Sequence, residues 1–173
     1  MNICESDRLV IRQFTLADAD FIIELLNDEA FIRYIADKKV RNIVDAHHYI
    51  KTGPMIGYQR YGYGLNLVLL KASNTPIGMC GLLKRDELEH PDLGYAFLPL
   101  YCGKGYAFEA ANAVLQNVQM NHALTVVQAV TRTDNLSSNK LLKKVGFIQD
   151  GMIELYNSAN NLYTYTLTNK KAQ

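Results

Sequence analysis

Apolar and polar positions alternate with period two over residues 8–14, where Leu9 and Ile11 stand between Arg8 and Arg12, and this pattern predicts a half-buried strand. A helix follows. Thr15 and Asp18 have the spacing of a capping box, and Phe21, Ile22, Leu25 and Leu26 recur at helical intervals until Asn27 and Asp28 interrupt them. A weaker helical pattern covers 43–50, after which Gly53, Pro54, Gly57, Gly62 and Gly64 leave the chain irregular or loosely helical. The continuous apolar run 65–70 suits a buried strand, and a turn over 73–76 leads to a return strand over 77–83. A fourth strand is expected over 92–98, beyond a charged loop at 84–91.

After Pro99 the period changes, because Ala107, Ala110, Ala111, Val114, Leu115 and Val118 form one apolar face of a helix over 106–118. The β-branched segment 125–131 makes the fifth strand, 137–144 a short helix ended by Gly146, and 147–153 and 162–167 two closing strands. An antiparallel meander thus precedes a β-helix-β-helix-β-β half, which defines a mixed α+β layered architecture and not a doubly wound parallel sheet. No internal repeat or low-complexity tract interrupts it.

The length of 173 residues fits one domain over 1–173, and the 49% apolar content can supply its core. Eighteen Lys and Arg against 17 Asp and Glu give a net charge of +1, so no field exists to hold nucleic acid or an anionic membrane. Cys4, Cys80 and Cys102 are odd in number and scattered, which fits reduced thiols and a cytoplasmic location. The first nine residues carry Glu5, Asp7 and Arg8 and lack a signal-peptide run, and no stretch approaches the roughly 20 apolar residues of a membrane helix. His47, His48, His90 and His122 show no ligand spacing, so no metal is expected.

The segment Pro99-Leu100-Tyr101-Cys102-Gly103-Lys104-Gly105-Tyr106-Ala107 joins a strand to the alanine-rich helix. Gly103 and Gly105 remove β-carbons that would block close backbone approach, and the first N–H groups of the helix lack internal acceptors, so together they can bind a pyrophosphate. Two glycines can equally serve a tight turn and nothing more. Phe108 occupies the place of the last glycine of a dinucleotide loop, and no Gly-Lys-Ser or Gly-Lys-Thr of a P-loop occurs.

Over nearly its whole length the chain resembles the GNAT acetyltransferases, and within them the RimJ/RimL-like ribosomal-protein N-terminal acetyltransferases. The resemblance rests on Arg8-Leu9-Val10-Ile11-Arg12, Ala17-Asp18-Ala19, Ile77-Gly78-Met79-Cys80-Gly81-Leu82, Leu93-Gly94-Tyr95 and Gly103-Lys104-Gly105-Tyr106-Ala107 with Glu109-Ala110. Asn135, Ser138, Leu142, Lys144, Gly146 and Phe147 complete it at that branch's spacing. It implies a mostly antiparallel central sheet flanked by helices, with a splay between the fourth and fifth strands. It also implies acetyl-CoA as co-substrate and direct transfer of acetyl to a primary amine, either a protein or peptide N-terminus or a small amine. Gly103, Lys104, Gly105, Tyr106 and Ala107 would hold the coenzyme A pyrophosphate, Phe97 and Leu98 would pair their backbone with pantetheine, and Asn135 would meet the pantetheine arm. Cys102 stands where the wider family prefers glutamine or arginine.

Amide formation from a thioester needs a proton acceptor for the amine, a donor to the thioester carbonyl and a proton for the departing sulfur. Asp92 is the candidate base, at a position where the resembling branch commonly has glutamate, although an aspartate after Pro91 also suits a turn or cap. Glu87 and Glu89 are less specific alternatives. Most GNAT enzymes carry a late tyrosine where this chain has Leu142, so Ser138 of the Asn-x-x-Ser pattern becomes the candidate acid. Asn135 and Ser138 can also simply cap the following helix. Carbonyl polarisation is expected from a backbone N–H near Leu98, before Pro99 stops ladder pairing. Neither Cys80 nor Cys102 has an activating partner, which favours direct transfer over an acyl-cysteine. Tyr58, Tyr61 and Tyr63 read as packing residues or as an acceptor wall. A coenzyme A-binding module without turnover is the alternative function, and a homodimer stays open.

Overall fold

The computed structural model describes residues 1–168. Its eight strands are β1 (Asn2–Glu5), β2 (Leu9–Gln13), β3 (Leu65–Leu70), β4 (Thr75–Leu83), β5 (Asp92–Phe97), β6 (Val126–Arg132), β7 (Ile148–Leu155) and β8 (Ser158–Thr166). They form one sheet in the order β1-β2-β3-β4-β5-β6-β8-β7. Five helices surround it with α1 at Ala19–Leu26, α2 at Glu29–Tyr34, α3 at Ile43–Ile50, α4 at Ile56–Tyr61 and α5 at Tyr106–Asn121, and a sixth, α6, covers Leu136–Val145. The mixed α+β class and mostly antiparallel sheet expected from the sequence are present.

Strand alternation divides the core in two. Val68, Cys80, Leu82 and Leu93 pack with the alanine face of α5 and with Leu142 of α6, while Leu65, Leu67, Leu69 and Met79 pack with α1, Phe31 of α2 and α3. Ile77 shares the first cluster with Cys80 despite opposite parity, because the register with β3 skips it: Val68 pairs with Gly78 and Leu69 with Pro76. This bulge turns the strand side chains over within one residue.

Every neighbouring pair is antiparallel except β5 and β6, which run parallel and share a single pairing, Asp92 with Gln128. Beyond that point the two strands part. This is the expected splay, now between the fifth and sixth strands because β1 adds one at the edge.

Several elements differ from the sequence expectation. Asp28 does not end helical structure but restarts it, since its carboxylate accepts the Ala30 and Phe31 N–H groups and caps α2. The glycine-punctuated stretch is helical: a π-helical turn, Lys51–Met55, carries Pro54 and links α3 to α4. Thr15 opens a short 3₁₀ turn before α1, with its N–H donated to the Asp18 carboxylate at 2.8 Å. The β7–β8 hairpin turns on Tyr156 and Asn157, both at positive φ (53° and 56°), so β8 begins earlier than its apolar residues suggest.

Gly81 on β4 lies so close to β3 that a β-carbon there would sit 2.0 Å from the Gly64 carbonyl oxygen. Gly81→Ala should lower stability by about 1–3 kcal/mol in urea unfolding, as overpacking against backbone does. Gly53→Ala, whose β-carbon meets nothing within 4 Å, should change it by less than about 0.5 kcal/mol.

Candidate active site

Gly103 and Gly105 adopt left-handed φ values of +73° and +83°, which an L side chain resists, and Gly105 is the N-cap of α5. No side chain caps that helix, so its first N–H groups face outward at the positive end of a 16-residue dipole. Arg8 braces the turn from beneath. Its Nη1 donates to the Lys104 carbonyl at 3.1 Å, its guanidinium lies 4.3 Å from the Tyr106 ring centroid, and its Nε pairs with Glu109 at 2.7 Å. Glu109 also accepts the Ser6 hydroxyl and the Arg8 N–H, tying the first turn of α5 to the β1–β2 corner.

From this turn a cavity of about 870 Å³ runs along the β5–β6 parting. Gly103, Gly105, Tyr106 and Ala107 form its wall with Phe97, Asn135 and Ser138, and Asp92 lies at the far end. Leu98 and Lys104 are not on that wall. Lys104 reaches back over the Tyr101 ring, and Leu98 packs into the core of α1 and α3.

The backbone of Leu98 corrects the sequence expectation. Its N–H donates to the Ile77 carbonyl at 3.0 Å and its own carbonyl accepts the Tyr101 N–H at 2.9 Å, so both groups are engaged within the protein. Antiparallel alternation from the Leu98–Ile77 bond turns the peptide groups of Tyr95 and Phe97 the other way, into the parting.

Asn135 caps α6, accepting the Ser138 N–H at 3.3 Å on Oδ1. The capping role and the cavity position coexist. The Ser138 hydroxyl meets the Tyr95 hydroxyl at 2.6 Å, and burial raises the Tyr95 pKa, so the pair stays protonated. Leu142, at the place of the late tyrosine, is 1% exposed and belongs to the core.

Asp92 is 1% exposed and lies on the opposite face of β5 from Tyr95, as an odd residue separation requires. Arg85 Nε donates to both carboxylate oxygens at 3.1 Å, and Arg85 Nη1 donates to the Tyr156 hydroxyl at 2.6 Å. Burial lifts the Asp92 carboxyl to a pKa of about 6, outweighing the attraction of Arg85. Burial also pushes the Tyr156 phenol up, but the charges of Arg85 and Lys38 win and hold it below its ordinary value.

Glu87 and Glu89 do not line the cavity. Neither do Tyr58, Tyr61 and Tyr63: the Tyr58 hydroxyl accepts the Phe14 N–H and donates to the Leu65 carbonyl, and Tyr61 stacks on Tyr63. The tyrosines on the wall are Tyr34, Tyr49, Tyr95, Tyr101, Tyr106 and Tyr156. Tyr95, as part of Leu93-Gly94-Tyr95, and Tyr101 and Tyr106, as part of the glycine segment, had a signal in the sequence; Tyr34, Tyr49 and Tyr156 had none. Cys80 is wholly buried, and desolvation raises its thiol pKa, as suits a packing residue.

The acetyltransferase (GNAT) domain family matches residues 8–148 of this chain. The chain is 29% identical over 156 residues to YoaA of Bacillus subtilis (strain 168), an uncharacterized N-acetyltransferase, covering 89% of this chain and 87% of that one. A GNAT-family acetyltransferase structure from Bacillus anthracis superposes with a TM-score of 0.78 at 24% identity, covering 96% of this chain and 98% of the other. RimL, a ribosomal alpha-N-protein acetyltransferase in complex with coenzyme A, superposes with a TM-score of 0.85 at 16% identity, covering 98% and 100%. The chain belongs to the GNAT acetyltransferase family and is an N-acetyltransferase. Among the described residues no helix is long and apolar enough to cross a membrane.

Because the folded-state pKa of Asp92 lies above its ordinary 3.8, the folded protein binds this proton more tightly than the unfolded chain does. The resulting stability is present below about pH 4 and is lost as pH rises through about 6. Across that window the wild type should lose roughly 3 kcal/mol relative to Asp92→Asn in urea unfolding curves, a comparison that isolates the slope from the offset.

Proposed function

We propose that this chain, acting as one GNAT domain, transfers acetyl directly from acetyl-CoA to a primary amine, either a peptide N-terminus or a small amine. The observation that carries the proposal is the parting of β5 and β6 beside an uncapped helix start, since it joins an anion cradle to an unpaired strand edge in one cavity. These features fit coenzyme A: a diphosphate on the amides of Gly103, Lys104, Gly105, Tyr106 and Ala107, and an extended amide-bearing arm along Tyr95 and Phe97. With Oδ1 of Asn135 committed to the cap, its amide nitrogen is the group to meet that arm. The Asn135-x-x-Ser138 spacing and the RimL superposition support a RimJ/RimL-like relationship.

Bound acetyl-CoA supplies the acetyl carbonyl, whose C–S bond breaks as the amine C–N bond forms. Asp92, ionised above about pH 6, accepts the amine proton through a water, because its carboxylate is buried behind Arg85. On the other face of β5 the Ser138–Tyr95 hydroxyl pair donates a proton to the departing sulfur and regains it from solvent. With the Leu98 amide spent on Ile77, the Phe97 N–H is the strand-end donor left for carbonyl polarisation. The sum is ammonium plus thioester giving amide, thiol and one released proton.

Thiol release from acetyl-CoA should depend on an added amine and rise with pH through about 6, and Asp92→Asn should lose about 100- to 10,000-fold in kcat/KM together with that limb. Coenzyme A that binds without thiol release across a broad amine panel, or parallel-line two-substrate kinetics, would overturn direct transfer. Gly105→Glu should weaken coenzyme A binding on the order of 10- to 100-fold by calorimetry, and a folded variant with unchanged affinity would remove the proposed cradle.

A further inference from the structure

The acceptor end of the cavity is cationic: Arg85 is paired with Asp92, but its two lysines, Lys38 and Lys84, have no carboxylate partner among the described residues. Lys38, in the loop between α2 and α3, donates from Nζ to the Tyr156 hydroxyl at 3.4 Å and lies 4.9 Å from that ring's centroid. Arg85 donates to the same hydroxyl from Nη1 and spends Nε on Asp92. Lys84, also on the wall, donates from Nζ to two carbonyls, those of Arg85 and Leu88. Among the described residues neither Lys38 nor Lys84 forms an ion pair. Of the acids on the wall, Asp92 is matched by Arg85, while Asp28 caps α2 and exerts its charge on Cys102 beside the glycine turn.

Tyr156 gathers these cations from a costly backbone position. Its φ of 53° is uncommon for an aromatic residue, and the two-residue turn that imposes it carries the ring into the cavity. Two cations converge on one phenol oxygen, on a wall lined by Tyr34 and Tyr49, and only one of them is paired with a carboxylate, which leaves positive charge available to an incoming group. A carboxylate would accept from both, whereas a second ammonium on the acceptor would be repelled.

We propose that the acceptor is a primary amine bearing a carboxylate, with Lys38 and Arg85 receiving the anion at the Tyr156 hairpin while the amine faces Asp92. This rests on the acetyl-transfer reading above and names its substrate class. The carboxylate has two sources, a free amino acid or an acidic side chain next to a peptide N-terminus, and the structure assigns their shared chemistry.

The test is kcat/KM by thiol release for matched acceptors, normalised to free-amine content. One arm uses Ser-Glu-Ala-amide, Ser-Gln-Ala-amide and Ser-Lys-Ala-amide; the other uses alanine, alaninamide and putrescine. In at least one arm the anionic acceptor should exceed its neutral partner by about 10-fold or more and the cationic one by about 100-fold, and the arm that responds identifies the source. Lys38→Met should cut the anionic-to-neutral ratio about tenfold, chiefly through KM, and Lys38→Arg should restore most of it. Equal turnover of anionic, neutral and cationic acceptors overturns the charge assignment while leaving acetyl transfer standing. Absence of thiol release with every acceptor sinks the transfer reading itself, and the acceptor assignment falls with it. A Lys38→Met enzyme with its preference ratio intact would remove Lys38 from the anion site.

Discussion

The site depends on one interruption in an otherwise paired sheet. β5 and β6 meet at Asp92 and Gln128 and then diverge, so peptide groups of Tyr95 and Phe97 have no strand to pair with. Unpaired peptide groups are tolerated where water or a ligand can reach them, and here they open onto the cavity instead of a packed interior. An edge of this kind recognises an extended partner by its amides, which selects for backbone-like chemistry with little regard to side chains. The same geometry that breaks the sheet leaves room for the long, amide-bearing co-substrate proposed above.

Because side chains alternate along β5, the two halves of the proposed chemistry occupy opposite faces of one strand. Asp92 looks toward Arg85 and the β7–β8 hairpin, whereas Tyr95 looks toward Ser138 at the start of α6. Proton removal and proton delivery are thereby separated by the thickness of the sheet. Burial acts differently on the two: it brings the Asp92 carboxyl nearer to neutrality in pH, and it keeps the Tyr95 phenol protonated.

The main strands and the long helix were legible, Leu65–Leu70 from an unbroken run that is buried on both faces and Tyr106–Asn121 from the helical repeat of its alanine face. The glycine turn was legible because left-handed backbone favours glycine, which stands at Gly103 and Gly105. Of the short helices, α1, α3 and α6 were legible too, whereas α2 was not and α4 showed only as an irregular or loosely helical stretch. Asp28 uses the same chemistry to end one helical run and cap another, and residues 51–61 hide a helix behind Pro54 and two glycines that tertiary packing overrides. The engagement of the Leu98 amide left no mark in the sequence, because Pro99 ends the strand ladder only after that amide has already found Ile77. Tyr156 and Lys38 gave no local signal, since their meeting with Arg85 depends on three loops converging from distant parts of the chain.

The brace formed by Arg8 and Glu109 has a consequence for how the molecule comes together. It joins residues 101 positions apart in the chain, so the proposed phosphate cradle is a product of long-range closure and not of the glycine turn alone. A ribosome must release both segments before the turn can be held in place. From then on, under the proposed function, a ligand held at this turn reinforces the docking of the edge strands, and fraying of that edge loosens the grip.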